Sequence, residues 1–244
     1  MTRVFCVKIA AMRTISLTAH RRPEYLGRVL QALSRCAGIE RYHVRIFCDP
    51  TKRKREQRAC VEQACVEQAD RYGFDCVVNE RQLGVDGNTG KAVRWGFEAG
   101  SSYHVHMEDD TLPSRGTLLW FEWAEHLGSN ADFFSVSGYE RMPSGSVFEY
   151  GARPWFHPWG FATWADRWEQ VAWRGALLPG TGWDTRLNKL RGERLEAFPR
   201  VSRMQNIGES KGVHVRSSAW HREHHHAFAT TDDLVSAFEF RATP

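Results

Sequence analysis

The sequence lacks any apolar run of the roughly 18 residues that a helix needs to cross a bilayer. Its first stretch, from Met1 to Met12, also lacks the long uninterrupted apolar core of a secretory signal. No Cys-x-x-Cys pair is present, and the six cysteines all lie in the first third of the chain. We therefore expect a cytoplasmic protein without a membrane span, whose cysteines are reduced core residues that form neither disulfides nor a zinc site.

A dominant charge of one sign is also missing. The chain has 33 Lys and Arg residues against 29 Asp and Glu, which gives a formal net charge of +4 and a sequence pI near 8.8. This mild excess falls well short of the charge density of a protein that coats nucleic acid, and an anionic substrate would account for it. At 244 residues, one large α/β domain is favoured over two independent domains.

Tryptophan is abundant, with ten residues in the chain and seven of them between Trp120 and Trp173. Aromatic rings at this density build the rigid walls of ligand pockets, and sugar rings stack on their faces, but they also fill large cores. Composition alone favours the core.

The first half of the chain alternates between strand-like and helix-like stretches, a pattern typical of parallel strands joined by helical crossovers. We therefore expect a doubly wound, Rossmann-like α/β fold. The predicted strands are Thr14–Ala19, Val44–Cys48, Asp75–Val78 and one that starts at Tyr103, and the predicted helices are Pro23–Ala37, Arg55–Tyr72 and Asn88–Ala99.

The pattern changes in the second half, where a mixed sheet and a small irregular lobe are expected. The predicted order is a helix at Ser114–Leu127, a strand at Phe133–Gly138, an irregular region at Pro143–Trp159, a strand at Gly160–Trp164, a helix at Asp184–Leu190 and a short strand at Arg200–Arg203.

Three consecutive carboxylates, Glu108, Asp109 and Asp110, follow the strand that starts at Tyr103. A doubly wound sheet presents the carboxyl ends of its strands to ligands, and adjacent negative charges repel unless a cation or solvent offsets them. Mn²⁺ or Mg²⁺ is usually bound by one or two carboxylates together with substrate phosphates, so the triplet predicts such an ion and a diphosphate substrate. The alternative is a solvated acidic turn.

This order of elements and motifs resembles the GT-A glycosyltransferases, including family 2-like members. More narrowly, Glu108-Asp109-Asp110 before Thr111-Leu112-Pro113-Ser114 is similar to the DXD-type metal motif of inverting enzymes related to N-acetylglucosaminyltransferase I. The resemblance covers roughly Ile15 to Val215. It implies a single GT-A domain over 1–244, with a nucleotide-sugar half at about 14–110, an acceptor and catalytic half at about 111–216, and a tail at 217–244.

The resemblance also implies the residues of a donor site. The turn after the first strand and the Asp that ends the second would flank the nucleobase, and the loop before the third helix would lie beside the nucleotide. An aromatic glycine loop, His157 to Thr163, would lie against the sugar, and a C-terminal segment would close over the phosphates. The implied donor-binding residues are Thr18, His20, Arg22, Asp49, Gly84, Lys91, Glu108, Asp109, Trp159, Gly160, Lys211 and Arg216.

Metal and catalytic roles are implied in the same way. Asp110 and His214 would be metal ligands, and Asp184, in Gly182-Trp183-Asp184, would be the base that takes the proton of the acceptor hydroxyl. Simpler roles remain open for three of these residues. Asp49 is also an ordinary turn residue, Asp184 a helix N-cap, and His214 a structural histidine.

The predicted reaction is therefore a metal-dependent, inverting transfer from a nucleotide-sugar, with a UDP-sugar as the guess that the family suggests. The acceptor would be a saccharide or, as second choice, DNA with a hydroxymethylated base, as in phage DNA modification, which the basic run Lys52 to Arg55 supports weakly. A nucleotidyltransferase is an alternative, although the turn His20 to Pro23 contains no glycine. A non-catalytic sugar- or metal-binding protein, suggested by the tryptophans and by His221 to His226, is another.

Overall fold

The computed structural model describes residues 12–51, 55–172, 182–208 and 241–242. Its helices are α1 (Pro23–Leu33), α2 (Arg55–Asp70), α3 (Gly84–Glu98), α4 (Thr117–Ala124), α5 (Ala165–Ala172) and α6 (Trp183–Leu190), with short 3₁₀ turns at Ile39–Arg41 and Glu125–Ser129. Its strands are β1 (Arg13–Ala19), β2 (Tyr42–Cys48), β3 (Asp75–Val78), β4 (Tyr103–Glu108), β5 (Thr111–Pro113), β6 (Phe133–Ser137), β7 (Glu149–Arg153), β8 (Phe161–Trp164), β9 (Leu195–Pro199), β10 (Met204–Asn206) and β11 (Arg241–Ala242).

The main sheet has the strand order β11-β7-β9-β6-β8-β4-β1-β2-β3 within the described residues. Strands β1 to β4 are mutually parallel, whereas β8 lies antiparallel between β4 and β6. A small second sheet pairs β5 with β10 in antiparallel fashion. The strand order reverses between β1 and β4, which is the topological switch point where sheets of this type bind ligands. The expected doubly wound mixed sheet is confirmed.

Helix α1 shows why the helices of the first half could be predicted from the sequence. Pro23 occupies its first turn, where a missing backbone N–H costs nothing. Its buried residues, Leu26, Val29, Leu30 and Leu33, recur at helical spacing and form one apolar stripe. The helix ends at Leu33, four residues before the predicted end.

Helix α3 begins at Gly84 rather than at the predicted Asn88. The carboxylate of Asp49 accepts the backbone N–H groups of Leu83 and Gly84, at 2.8 and 2.9 Å, and so supplies an acceptor at the N-terminus of the helix. Asn88, the predicted first residue, is buried inside the helix and donates to the carbonyl of Phe47 at 2.9 Å. The acceptor at the start of α3 thus comes from a residue that follows β2 and not from the chain just before the helix.

The second half departs further from expectation. The predicted strand at Arg200–Arg203 was wrong, since these residues connect β9 to β10. Strand β7 lies inside the region predicted to be irregular, and the region between α6 and residue 200 contains the unpredicted β9. Strands β7 and β9 pair with each other, so their backbone hydrogen bonds are made to a strand that is distant in sequence.

Most of the described tryptophans fill cores, as composition favoured. Trp120 and Trp164 lie in the main core, and Trp168 and Trp183 lie in a second cluster with Phe156. The four cysteines with described side chains, Cys36, Cys48, Cys65 and Cys76, are free. In the parts of the chain that the structure covers, no helix combines the length and apolarity needed to span a bilayer.

Candidate active site at the switch point

The carboxyl ends of β1 and β4 meet and bring the acidic triplet to the turn after β1. Thr18 pairs with Glu108 in the sheet register, and the N–H of Asp109 donates to the carbonyl of Thr18 at 3.0 Å. The residues that follow β1, including His20 and Arg22, therefore lie beside the triplet. The parallel pairing of two strands far apart in sequence creates this contact.

Arg22 holds two of the three carboxylates. Its guanidinium pairs with Asp109, and its second terminal nitrogen lies 2.8 Å from Asp110. Asp109 also accepts the backbone N–H of His20 at 3.3 Å, whereas the His20 ring bonds to the carbonyl of Asp49 at 2.8 Å. Arg22 is thus placed next to the predicted diphosphate position, while its charge is partly used by the two aspartates.

The triplet carries an excess of negative charge. Burial raises the pKa of Glu108 well above its usual value, and Asp110, Asp109 and Asp184 raise it further against the opposing effect of Arg22. Burial likewise raises the pKa of Asp109 to about 6, although its bond to Arg22 acts in the opposite direction. Three carboxylates facing one guanidinium are the charge distribution that a bound divalent cation would neutralise.

Asp110 lies against a glycine whose backbone approaches its carboxylate closely. The N–H of Ile207 donates to the Asp110 carbonyl at 2.8 Å, which joins the triplet to the segment that follows β10. A Cβ atom at Gly208 would lie only 2.3 Å from the Asp110 carboxylate oxygen. A side chain at position 208 would therefore fill the space beside the carboxylate.

The described residues can supply part of the coordination shell of a divalent metal ion. Within the described residues, no group of three or more His, Cys, Asp or Glu side chains could hold a metal ion by itself. Mg²⁺ and Mn²⁺ sites of the kind predicted need only one or two carboxylates, because diphosphate oxygens and waters supply the other ligands. Asp110, whose carboxylate lies beside Gly208 and 2.8 Å from Arg22, would supply one such carboxylate. The other predicted metal ligand, His214, lies outside the described residues, as do Lys211 and Arg216.

The predicted nucleobase side is built around Asp49, which is buried at the end of β2. Besides the two N–H groups at the start of α3, its carboxylate accepts the Asn79 amide at 3.2 Å. The ammonium group of Lys91 donates to the Oδ1 atom of the same Asn79 amide at 2.7 Å. Asp49, Gly84 and Lys91 are thus brought together, and the hydrogen bonds of Asp49 serve the architecture of the loop. Contact with a nucleobase stays a prediction for these residues.

The aromatic glycine loop lies at the same edge of the sheet. Phe161 pairs with His106, and because β8 is antiparallel to β4, the preceding Gly160 and Trp159 lie beside the residues that lead into the triplet. Gly160 has a positive φ of 74°, and a Cβ there would lie 1.8 Å from the sulfur of Met204. Trp159 packs edge-on against Tyr139, with ring centroids 4.8 Å apart.

Asp184 lies in the first turn of α6, whose N-cap position is Gly182, so the simpler role of Asp184 as an N-cap was wrong. The ring of Trp183 stands edge-on to that of His106, two residues before the triplet, at a centroid distance of 6.2 Å. Asp184 is close enough to raise the pKa of Glu108. The carboxylate of Asp184 on α6 is therefore within electrostatic range of Glu108.

This sheet order is that of the GT-A fold of glycosyltransferases. The mannosyltransferase PcManGT from Pyrobaculum calidifontis, solved with GDP-Man and Mn²⁺, matches with a TM-score of 0.52 and 15% identity over 80% of this chain and 58% of that one. TarS 1–349 from S. aureus matches with a TM-score of 0.52 and 11% identity over 78% of this chain and 58% of that one. TarS 1–349 in complex with UDP-GlcNAc matches with a TM-score of 0.51 and 10% identity, over 78% of this chain and 56% of that one.

At these identities the likeness shows the fold, and the chain spans less than two thirds of the length of each of these neighbours. No family model and no curated protein sequence matches the chain.

Two residues at the site escaped sequence analysis. Asp86 accepts the backbone N–H of Trp183 at 2.9 Å, and Gly208 lies so close to Asp110 that a Cβ atom there would clash with its carboxylate. Asp86 stands between two glycines in a loop already assigned to the donor site, but its partner is 97 residues away. Nothing in the local pattern predicts that contact.

Proposed function

We propose that this protein is a metal-dependent, inverting glycosyltransferase that moves a sugar from a nucleotide diphosphate sugar to a hydroxyl acceptor. One observation supports the proposal: the acidic triplet Glu108-Asp109-Asp110 lies at the switch point of the sheet, where Thr18 of β1 pairs with Glu108, and Asp184 is near enough to contribute to the raised pKa of Glu108. A metal-held diphosphate needs carboxylates on one side of the anomeric carbon, and inversion needs a base on the other.

Asp110, assisted by Asp109 or Glu108, would hold Mn²⁺ or Mg²⁺, and the bound ion would offset the negative charge that develops on the leaving nucleotide. Asp184 takes the proton of the acceptor hydroxyl as that oxygen attacks the anomeric carbon and the bond to the diphosphate breaks. Trp159 and Gly160 would line the binding site of the donor sugar. Residues 14–110 would form the nucleotide-sugar half, and residues 111–216 the acceptor and catalytic half.

UDP is the first candidate for the nucleotide, and TarS, which shares the fold, was solved with UDP-GlcNAc. A saccharide is the first candidate for the acceptor, because Trp155, two residues after the end of β7, is about half exposed and is a residue type on which sugars stack. DNA with a hydroxymethylated base remains the second candidate. Its support is the basic run Lys52 to Arg55, of which residues 52–54 lie outside the described residues.

The donor is tested by thermal shift with UDP-, GDP-, TDP- and CMP-sugars, each with and without Mn²⁺. A ligand at about 100 times its Kd stabilises the fold by about 2.7 kcal/mol. We expect a metal-dependent shift with one nucleotide class that Asp110→Ala abolishes. The control Asp75→Asn removes a half-exposed carboxylate at the opposite end of the sheet and should keep the shift.

The base is tested by nucleotide release from the donor, with water as acceptor. Asp184→Asn should bind the donor as the wild type does and lower turnover by about 10²–10⁴-fold, the usual scale of general-base catalysis. A loss of donor affinity that equals the loss of turnover would contradict the role of Asp184. The absence of a shift with every donor and metal would contradict the proposed function itself.

A further inference from the structure

The most informative contact outside the predicted site joins α3 to α6. Asp86, in the first turn of α3, is only 3% exposed, and its Oδ1 atom accepts the N–H of Trp183, the residue before Asp184. We infer that Asp86 is a positioning residue that aligns Asp184 with the donor and couples it to the nucleotide side of the site. The inference rests on the proposed function, since it assigns Asp86 a task only if Asp184 acts as the base.

Helix α6 needs an external acceptor at its start. The first backbone N–H groups of a helix have no partner within the helix, and an N-cap side chain usually accepts one of them. Here the N-cap position is Gly182, which has no side chain and a positive φ of 66°. Asp86 supplies the missing oxygen, and its negative charge also suits the positive end of the helix.

The same stretch of α3 is attached to the nucleotide side. Asp49, at the end of β2, accepts the N–H groups of Leu83 and Gly84, two residues before Asp86. A carboxylate from β2 thus holds the start of α3, and a carboxylate from the start of α3 holds the start of α6. Any ligand that orders the loop around Asp49 will thereby order the backbone beside Asp184.

The rest of α6 is fixed against the acceptor side. Asn188, one turn after Asp184, accepts the N–H of Phe156 at 2.7 Å and donates to its carbonyl at 3.0 Å. The ring of Phe156 also packs edge-on against Trp183, with centroids 5.7 Å apart. Because Asn188 holds the later turn and the Trp183 ring stays packed, loss of the Asp86 contact would loosen the backbone of the first turn, which carries Asp184, and not the whole helix.

Catalysis is sensitive to such a release, because a misplacement of about 1 Å in a reacting group can cost about 10²-fold in rate. Asp86→Ala should therefore lower turnover by about 10–100-fold while the Kd for the donor changes by less than about threefold. Asp86→Asn retains an oxygen that accepts the Trp183 N–H, so it should restore turnover to within about threefold of the wild type.

The experiment measures nucleotide release from a UDP-sugar with Mn²⁺, donor Kd by calorimetry, and hydrogen exchange of residues 182–190. Glu98→Ala, at the exposed end of α3, is the matched control and should behave as the wild type. We expect Asp86→Ala alone to lose turnover, keep donor affinity and exchange the Trp183 amide faster. Should this variant fail to fold, Asp86→Glu, which displaces the carboxylate by one methylene, is expected to show the same split between turnover and affinity.

Three results would overturn the inference: unchanged turnover in Asp86→Ala, equal losses of turnover and donor affinity, or an equal defect in Asp86→Asn. Failure of the proposed function looks different. In that case the wild type would bind no donor in a metal-dependent way, and Asp184→Asn would match the wild type. A defect confined to Asp184→Asn would leave the proposed function standing and refute the role of Asp86.

Discussion

A fully buried ion pair supports the aromatic side of the site, and its removal should be costly. Glu196 on β9 is 0% exposed, and one of its oxygens accepts the Nε and a terminal nitrogen of Arg153, at 3.0 and 2.8 Å. The same carboxylate accepts the hydroxyl of Ser135 and the backbone N–H of His157, the first residue of the aromatic glycine loop. Burial raises the pKa of Glu196, although Arg153 and these donors oppose the shift.

The perturbation is Arg153→Met, which keeps an apolar stem but leaves the Glu196 carboxylate without its counterion. Breaking a buried pair by removing one partner costs about 3–5 kcal/mol, because the remaining charge stays desolvated. Glu196→Gln should cost less, about 1–3 kcal/mol, since Arg153 keeps contacts with Glu140 and with the Tyr139 carbonyl. The double variant should be more stable than the sum of the single effects predicts, by about 1–3 kcal/mol.

Equilibrium unfolding in urea measures these differences. The control is Glu122→Gln, which breaks a pair with Arg41 that is 2.8 Å long but partly exposed and should cost at most about 1 kcal/mol. In Arg153→Met the raised pKa of Glu196 rises further, so the folded state binds the proton that the unfolded state releases. Its destabilisation should therefore shrink as pH falls from 8 to 5. The reasoning would be refuted if Arg153→Met and Glu196→Gln each lowered the unfolding free energy by less than about 1 kcal/mol, additively and independently of pH.

Two further predictions concern stability. Burial lowers the pKa of His104 well below its usual value, so only the unfolded chain takes up a proton as pH falls below about 6.5. The folded protein, in which His104 stays neutral, is therefore destabilised below that pH and not above it. His104→Gln should reduce the slope of the unfolding free energy against pH, measured below about pH 6.5, by about 1.4 kcal/mol per pH unit. An unchanged slope would contradict this. Gly160→Ala should destabilise by about 1–3 kcal/mol, because the new methyl group meets the Met204 sulfur. Gly73→Ala, which has the same sign of φ but open space, should cost only about 1 kcal/mol in the same urea titration, and equal losses would refute the steric explanation.

The sequence could be read wherever the relevant interactions are local. Alternating strand and helix patterns over the first hundred residues predicted β1 to β4 and their helices, because each element buries one face with its own periodicity. The acidic triplet was readable for the same reason, as it follows a short apolar strand directly. From parallel pairing alone, the carboxyl ends of β1 and β4 were expected to share one edge.

The second half was harder because its strands depend on distant partners. Strands β7 and β9 carry no strong alternation, and each is completed by the other across some forty residues of chain. The insertion of β8 between β4 and β6, which brings Trp159 and Gly160 to the site, depends on antiparallel pairs that no local pattern specifies.

The side chains available for chemistry can be read from the sequence: three carboxylates after a strand, an aromatic glycine loop, and an aspartate after Gly182-Trp183. The contacts that each of these residues makes depend on the folded chain. Asp49 caps α3, and Asp86 reaches a backbone N–H 97 residues away. The reason is physical: a carboxylate accepts any donor that the fold brings within about 3 Å, and that donor is set by how the sheet and helices pack, not by neighbours in the chain.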